Sequence, residues 1–193
     1  MPGKLVAFGR ITDDGHTPLY LSIERGVAAT VQKLLNKGAG VNAATKGGRY
    51  TPLHRAAEIG HVNFVKMLLD KNADINLQST HGGTALFLAA GLGHGGVVQL
   101  LLEKRANVNL HSHDGRTPLY VATSGGHREI VQQLLDEGAR VDLKTLHGGG
   151  TPLHRASEHG HSAIVHVLPD KGAAVNLATD FGYVALHFAT KHG

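Results

Sequence analysis

The 193-residue chain has no cysteine, only six prolines, and aromatic residues make up just 5% of it. Without cysteine, a disulfide framework and a thiolate metal site are both excluded, and a reducing compartment suits the composition. No stretch approaches the roughly 18 apolar residues that a membrane span requires. The opening "MPGKLVAFGRITDD" holds one lysine and a short apolar run, too brief for a signal-peptide core. The expected setting is therefore intracellular, cytoplasmic or nuclear. Basic residues are also never concentrated. The net charge is +4 with a pI of about 9.4, yet the densest cationic pair is Lys104–Arg105, beside Glu103. A nucleic-acid binder shows a basic stripe or patch, so neither nucleic acid nor a membrane surface is expected as partner.

Catalytic signatures are missing too. "GLGHGG" at 91–96 looks like a glycine-rich nucleotide loop, but it follows a helical pattern where such a loop follows a strand. "HGGG" at 147–150 has no accompanying Gly-x-Ser-x-Gly elbow. No enzymatic activity and no cofactor are expected.

What the chain does contain is a repeat, with 41% hydrophobic residues to build its core. Thr-Pro-Leu stands at Thr17, Thr51, Thr117 and Thr151, with the variants "TAL" at Thr84 and "VAL" at Val184, at gaps of 34, 33, 33, 34 and 33. Each of the first five openings is followed by a second apolar stretch: "VQKLLNKGAGVN", "VKMLLDKNADIN", "VQLLLEKRANVN", "VQQLLDEGARVD" and "VHVLPDKGAAVN". Period, triplet and second stretch together resemble ankyrin repeats, whose signature is a 33-residue unit with a T-P-L-H-x-A core. The resemblance covers nearly the whole chain. It implies an all-α repeat solenoid with β-hairpin or turn fingers: stacked helix-turn-helix units, five complete and a truncated sixth. The expected organisation is one domain over 1–193, with repeats at about 12–45, 46–78, 79–111, 112–145 and 146–178, and a partial one at 179–193.

The second unit shows the physics. Thr51 can cap a helix through its hydroxyl, and Pro52 fits the first helical position, where the missing N–H costs nothing. Leu53, Ala56 and Ala57 give a narrow apolar stripe, and Gly60-His61 breaks the helix. Val62, Val65, Leu68 and Leu69 then follow the spacing of a buried helical face. Asn72 stands at the usual glycine, which predicts a left-handed helix end. One such unit cannot bury its own core, so stacking must supply it. Three departures weaken individual units: Arg105 at a usual glycine, Gly95-Gly96 opening a helix, and Pro169 in place of a leucine. Pro169 predicts that its helix ends near Leu168.

A second period overlies the first. Thr17, Thr51 and Thr84 recur 100 positions later as Thr117, Thr151 and Val184, and both 34-residue gaps obey the same offset. "TPLHRA" at 51–56 returns at 151–156, although other units carry Leu21, Leu88 and Val121 where Arg55 and Arg155 stand. We read this as a three-repeat cassette duplicated as a block.

In ankyrin repeats the first helices and the finger tips form the recognition surface. Carried onto this chain, the resemblance implies a groove of Arg55, Glu58, Ile59, Leu88, Leu92, Val121, Ser124, Arg155, Glu158 and His159. The implied fingertips are His16, Tyr50, His81, His113, Arg116 and His147. Residues at i, i+3 and i+4 share a helix face, so the groove reads as an apolar middle, with Gly125 beside it, between charged flanks. An alternative for Arg55 and Glu58 is simple pairing with each other. Most of the fifteen histidines occupy motif or finger positions, and His111 with His113 lacks a third metal ligand. The expected function is non-enzymatic binding of a protein or peptide partner. The alternative is a structural spacer within a larger protein, and the unfinished last unit also predicts end-to-end self-contact through its apolar surface.

Overall fold

Every repeat opening becomes a helix start. The Oγ1 atoms of Thr17, Thr51, Thr84, Thr117 and Thr151 each accept a hydrogen bond from the backbone N–H three residues on, at 3.1 to 3.5 Å. Each such bond satisfies one of the orphan donors of a helix N-terminus and contributes about 1 kcal/mol. In the computed structural model, which describes residues 11–189, these caps begin five short helices: α1 (Pro18–Glu24), α3 (Pro52–Glu58), α5 (Ala85–Gly91), α7 (Pro118–Ser124) and α9 (Pro152–Glu158). A sixth, α11 (Ala185–Ala189), occupies the equivalent place after Val184.

Between them lie α2 (Ala28–Asn36), α4 (Val62–Leu69), α6 (Gly95–Glu103), α8 (Arg128–Asp136) and α10 (Ser162–Asp170). Odd-numbered helices pack on odd-numbered neighbours and even on even, so two layers run the length of the stack. The seam between the layers is the core. Phe64, Val65, Leu68, Val97, Val98, Leu101, Val131 and Leu134 are sealed within it, and alanines 56, 57, 89, 90 and 122 let the odd helices approach. Each fully buried large side chain contributes about 1.5–3 kcal/mol of transfer free energy. Asn72 and Arg105 end their helices at φ 60° and 62°, as the glycine register predicts.

Pro169 does not end its helix. α10 reaches Asp170, and Lys171 caps it by donating to the carbonyls of Val167 and Leu168. Proline removes the bond that residue 169 would give to Val165, but the next turn still closes, and Leu168 is fully buried in the seam. Tertiary packing overrides the local break.

The fingers are turns, and no strand occurs among the described residues. A backbone bond closes each tip, from Thr12, Thr45, Ser79, Ser112, Thr145 and Thr179 to the carbonyls of His16, Tyr50, Gly83, Arg116, Gly150 and Tyr183, and in the shorter fingers Gly15, Gly82, Gly115 and Gly182 return a second bond to the carbonyls of Thr12, Ser79, Ser112 and Thr179. A single bond also links each finger to the next: Lys46 to Asp14, Thr80 to Gly48, His113 to His81, Leu146 to Asp114, and Asp180 to Gly148. Bonds confined to the turn itself do not extend into a ladder, which is why hairpin strands do not form. The fingers closed by Thr45 and Thr145 are one residue longer than the rest, and their extra residue turns through Arg49 at φ 50° and Gly149 at φ 63°. The duplication thus extends to the left-handed turn at 49 and 149, although residue 148 also turns through φ 85° where Gly48 does not.

Candidate functional site

The repeat histidines are structural. His54, only 1% exposed, accepts the Thr51 N–H on Nδ1 at 3.1 Å and donates from Nε2 to the Gly83 carbonyl at 3.1 Å. His154 repeats this with Thr151 and Tyr183, both contacts at 3.1 Å. Burial lowers the pKa of both rings below the usual 6.5. The Gly-His positions link repeats: the Nε2 atoms of His94, His127 and His161 reach the carbonyls of Glu58, Gly91 and Ser124 at 2.9, 3.1 and 3.2 Å. His61 lies on the Phe64 ring instead, with centroids 3.7 Å apart. Among the described residues no group of three or more His, Cys, Asp or Glu side chains could hold a metal ion.

A set of rungs was not anticipated from the sequence. Oδ1 of Asn42, Asn76 and Asn109 accepts the backbone N–H of Asp74, Asn107 and Arg140 at 2.8–2.9 Å, and Asp142 accepts that of Ala174 at 3.1 Å. The signal was present, because an Asn or Asp closes every "VN", "IN" or "VD" of the repeat. An amide or carboxylate oxygen at that place satisfies the next repeat's backbone.

The predicted groove residues fall on one layer. Arg55 and Glu58 lie on α3 with Ile59 as its C-cap, and Leu88 lies on α5 with Leu92 as its C-cap. Val121 and Ser124 lie on α7, and Arg155 and Glu158 lie on α9, capped by His159. Leu92 is 52% exposed, an unusual exposure for a large apolar side chain on a packed layer. Val121 is half-buried against Gly91, where a Cβ would stand 3.4 Å from it.

The flanks are ion pairs. Arg55 donates from Nη1 to Glu58 at 2.7 Å and from Nη2 to Glu24 of the preceding repeat at 3.0 Å, while its buried Nε has no partner. Both the simple pairing and a cross-repeat bridge are therefore present. Arg155 donates from Nη1 to Glu158 at 2.6 Å, but its Nε goes to the Tyr120 hydroxyl at 3.1 Å, with the guanidinium 5.4 Å from the Tyr120 ring centroid. Hydrogen bonding and the nearby carboxylates hold the Arg55 pKa above its usual value.

Among the fingertips, His81, His113, Arg116 and His147 are exposed, and Tyr50 is half-buried. His16 stacks on Tyr20 at 4.7 Å with the rings nearly parallel. Arg116 pairs with Asp114, and the guanidinium holds that carboxyl down at about 2, aided by the Ser112 hydroxyl.

Two concavities lie where fingers meet odd-numbered helices. One, of about 260 Å³, is lined by Tyr50, His81, Phe87, Leu88, His113 and Arg116, among others. The next, of about 160 Å³, is lined by Asp114, Arg116, Tyr120, Thr145, His147 and Arg155. The predicted groove and fingertip sets thus meet at shared surfaces in the middle of the stack.

No helix among the described residues is long and apolar enough to cross a membrane. No curated protein matches the chain. Family models described as "Ankyrin repeats (3 copies)" match residues 4–79 and 74–145, and one described as "Ankyrin repeats (many copies)" matches 134–189. Ankyrin repeats are in general protein–protein interaction modules and typically non-enzymatic. With its capped helix pairs, its linked fingers and matches running from residue 4 to residue 189, the chain belongs to the ankyrin repeat family.

Proposed function

We propose that the chain recognises a protein or peptide partner without catalysis, through the surface where the odd-numbered helices meet the fingers. The observation that carries this reading is the open cavity of about 260 Å³ whose walls include Tyr50, Phe87 and Leu88. Aromatic and aliphatic walls with a few polar groups are what a partner's anchoring side chain needs. Leu92 and half-buried Val121 extend the apolar surface along α5 and α7. The flanking charges set orientation and association rate more than affinity.

The test is capture of partners with the chain as bait at low and high salt, repeated with Leu92→Arg. Leu92 is a half-exposed C-cap whose side chain is no part of the core, so its replacement should spare the fold and abolish the specific interaction. Partner binding equal to that of the parent would remove this face from consideration. Capture of nucleic acid that is lost in high salt would overturn protein recognition itself.

A further inference from the structure

The duplicated cassette provides an internal comparison, since each residue of one half has a counterpart 100 positions on. The closing bonds of the long fingers are preserved, although residue 148 turns through φ 85° where Gly48 does not. Tyr50 donates its N–H to Thr45 Oγ1 at 3.0 Å and Gly150 donates to Thr145 Oγ1 at 3.1 Å, and both carbonyls accept a threonine N–H at 2.9 Å. Beyond that turn, the differences at the arginines are in side chains.

Those differences all change the arginine's surroundings in one direction. In the first half Arg55 faces two carboxylates, Glu24 and Glu58, at 3.0 and 2.7 Å. In the second half Ser124 stands in place of Glu24, so one carboxylate of the pair is gone. Tyr50 becomes Gly150 and Gly47 becomes His147. His16, which lies flat on Tyr20, becomes Arg116, while Tyr120 has the Arg155 guanidinium over its ring. The result is the open cleft of about 160 Å³ between Arg116, Tyr120, Thr145, His147 and Arg155. Arg155 has Nε on Tyr120 and Nη1 on Glu158, leaving Nη2 with no partner among the described residues.

From this divergence we infer that the cleft is a subsite for a single acidic side chain, Asp or Glu, of the partner segment, and that the 260 Å³ cavity beside it takes an apolar side chain of the same segment. The inference rests on the proposed recognition surface and specifies its ligand.

Charge selects a carboxylate over a doubly charged phosphate. The lining carries two guanidinium groups and one carboxylate, Asp114, which stays ionised because Arg116 and Ser112 hold it at about 2. Glu158, outside the lining and 2.6 Å from Arg155, balances the second guanidinium, so among the described residues the cleft offers one unfilled donor, Arg155 Nη2, to a single carboxylate, whereas a doubly charged group would meet both Asp114 and Glu158. Nη2 can give a carboxylate oxygen one charge-assisted hydrogen bond, stronger than a neutral one.

Spacing follows from the repeat. The apolar cavity and the cleft share Asp114 and Arg116 and are offset by one repeat, about 10 Å at ordinary helix spacing. An extended segment advances about 3.3 Å per residue, so the apolar and acidic side chains should stand about three residues apart.

The test is selection of a library of random linear peptides on the full chain, followed by affinity measurement of the enriched peptides. The expected result is a shared Asp or Glu about three residues from a large apolar residue. Replacing that acidic residue by its amide, or making Arg155→Gln, should each weaken binding about tenfold or more, with little further loss when combined. Gly150→Tyr restores the first-half residue at a position whose closing bonds match those of Tyr50, and its Cβ would meet only Thr145 Oγ1 and the Tyr120 hydroxyl at 3.6 and 3.8 Å. It should close the cleft and abolish the acidic preference without unfolding the chain. Peptides that need Leu92 but show no acidic preference would overturn the subsite while leaving the recognition surface standing. A preference for phosphorylated over acidic peptides would overturn the choice of a monoanion. Enrichment with no dependence on Leu92, Leu88 or Arg155 would overturn both readings.

Discussion

His54 is where a single substitution should reveal how one repeat leans on the next. Replacing it by leucine keeps an apolar body in a nearly sealed site but leaves the Thr51 N–H, bound at 3.1 Å, without an acceptor. A buried orphan donor costs about 1–3 kcal/mol. The Gly83 carbonyl also loses the Nε2–H at 3.1 Å, but keeps the Ser79 N–H at 2.9 Å, so that loss is nearer about 0.5–1.5 kcal/mol. Apolar burial returns about 1–2 kcal/mol. The net should be about 1.5 kcal/mol, or about 3–6 °C in Tm for a chain of this length. Acid gives the same variant a second reading. Burial lowers the folded-state pKa of His54, so the unfolded chain binds the proton more readily. The stability that neutral His54 contributes is therefore fully present above about 6.5 and is lost as pH falls through the lowered folded value. His54→Leu carries no such proton, and His154 titrates alike in both proteins. Thermal unfolding by circular dichroism should show the gap between parent and variant narrowing from neutral pH to about pH 5. A gap that stays constant or widens would refute the burial of a neutral ring at this site.

Pro169→Leu should restore the missing helical bond to Val165 and raise the melting temperature, by about 1–3 kcal/mol of stability; a lower value would mean that the proline fits its site better than leucine does. Gly115→Ala should destabilise, because residue 115 sits at φ 83° and a Cβ would stand 2.8 Å from the Leu146 nitrogen. Hydrogen exchange at the Leu146 amide, which bonds Asp114, should accelerate in that variant and not in a remote control. Asn109→Ala should cost about 1–2 kcal/mol and expose the Arg140 amide to exchange, since it removes both the solvent-facing rung to Arg140 and the Nδ2 bond to the Gly138 carbonyl. Phe181, Tyr183 and Leu186 are 77%, 51% and 73% exposed at the last described unit, so sedimentation should show concentration-dependent self-association that Leu186→Glu reduces; a monomer at every concentration would count against end-to-end contact.

Features repeated along the chain could be read before any coordinates. The threonine caps, the left-handed ends at Asn72 and Arg105, and the longer fingers after residues 45 and 145 all follow from periodic residue choice. Pro169 misled because a rule about an isolated helix met a packed layer, where Leu168 holds the turn. The Asn42-to-Asp142 rungs were visible as a column of residues but not as bonds, since their acceptors point at another repeat's backbone. The groove was less legible. Sequence placed Arg55 beside Glu58 by helical spacing, but Glu24 and Tyr120 reach the arginines from preceding repeats, 31 and 35 residues away. Nor does spacing along a helix disclose a cavity between a helix and a finger.

The links between repeats also determine how the molecule bends. At the second, third and fourth junctions the finger bond, the Asn or Asp rung and the Gly-His bond act side by side, whereas successive junctions act one after another, like springs joined end to end. The compliances of the junctions therefore add, and a small rotation at each accumulates along the stack. The junction between the first two units differs from the next three, because His61 rests on Phe64 and supplies no bond to the preceding repeat, leaving the Arg55–Glu24 bridge beside the finger and Asn42 links. An ion pair open to solvent yields to salt as a buried hydrogen bond does not. Flexure should therefore concentrate at that end of the stack and grow with ionic strength, while the junctions that frame the two central cavities keep their shape.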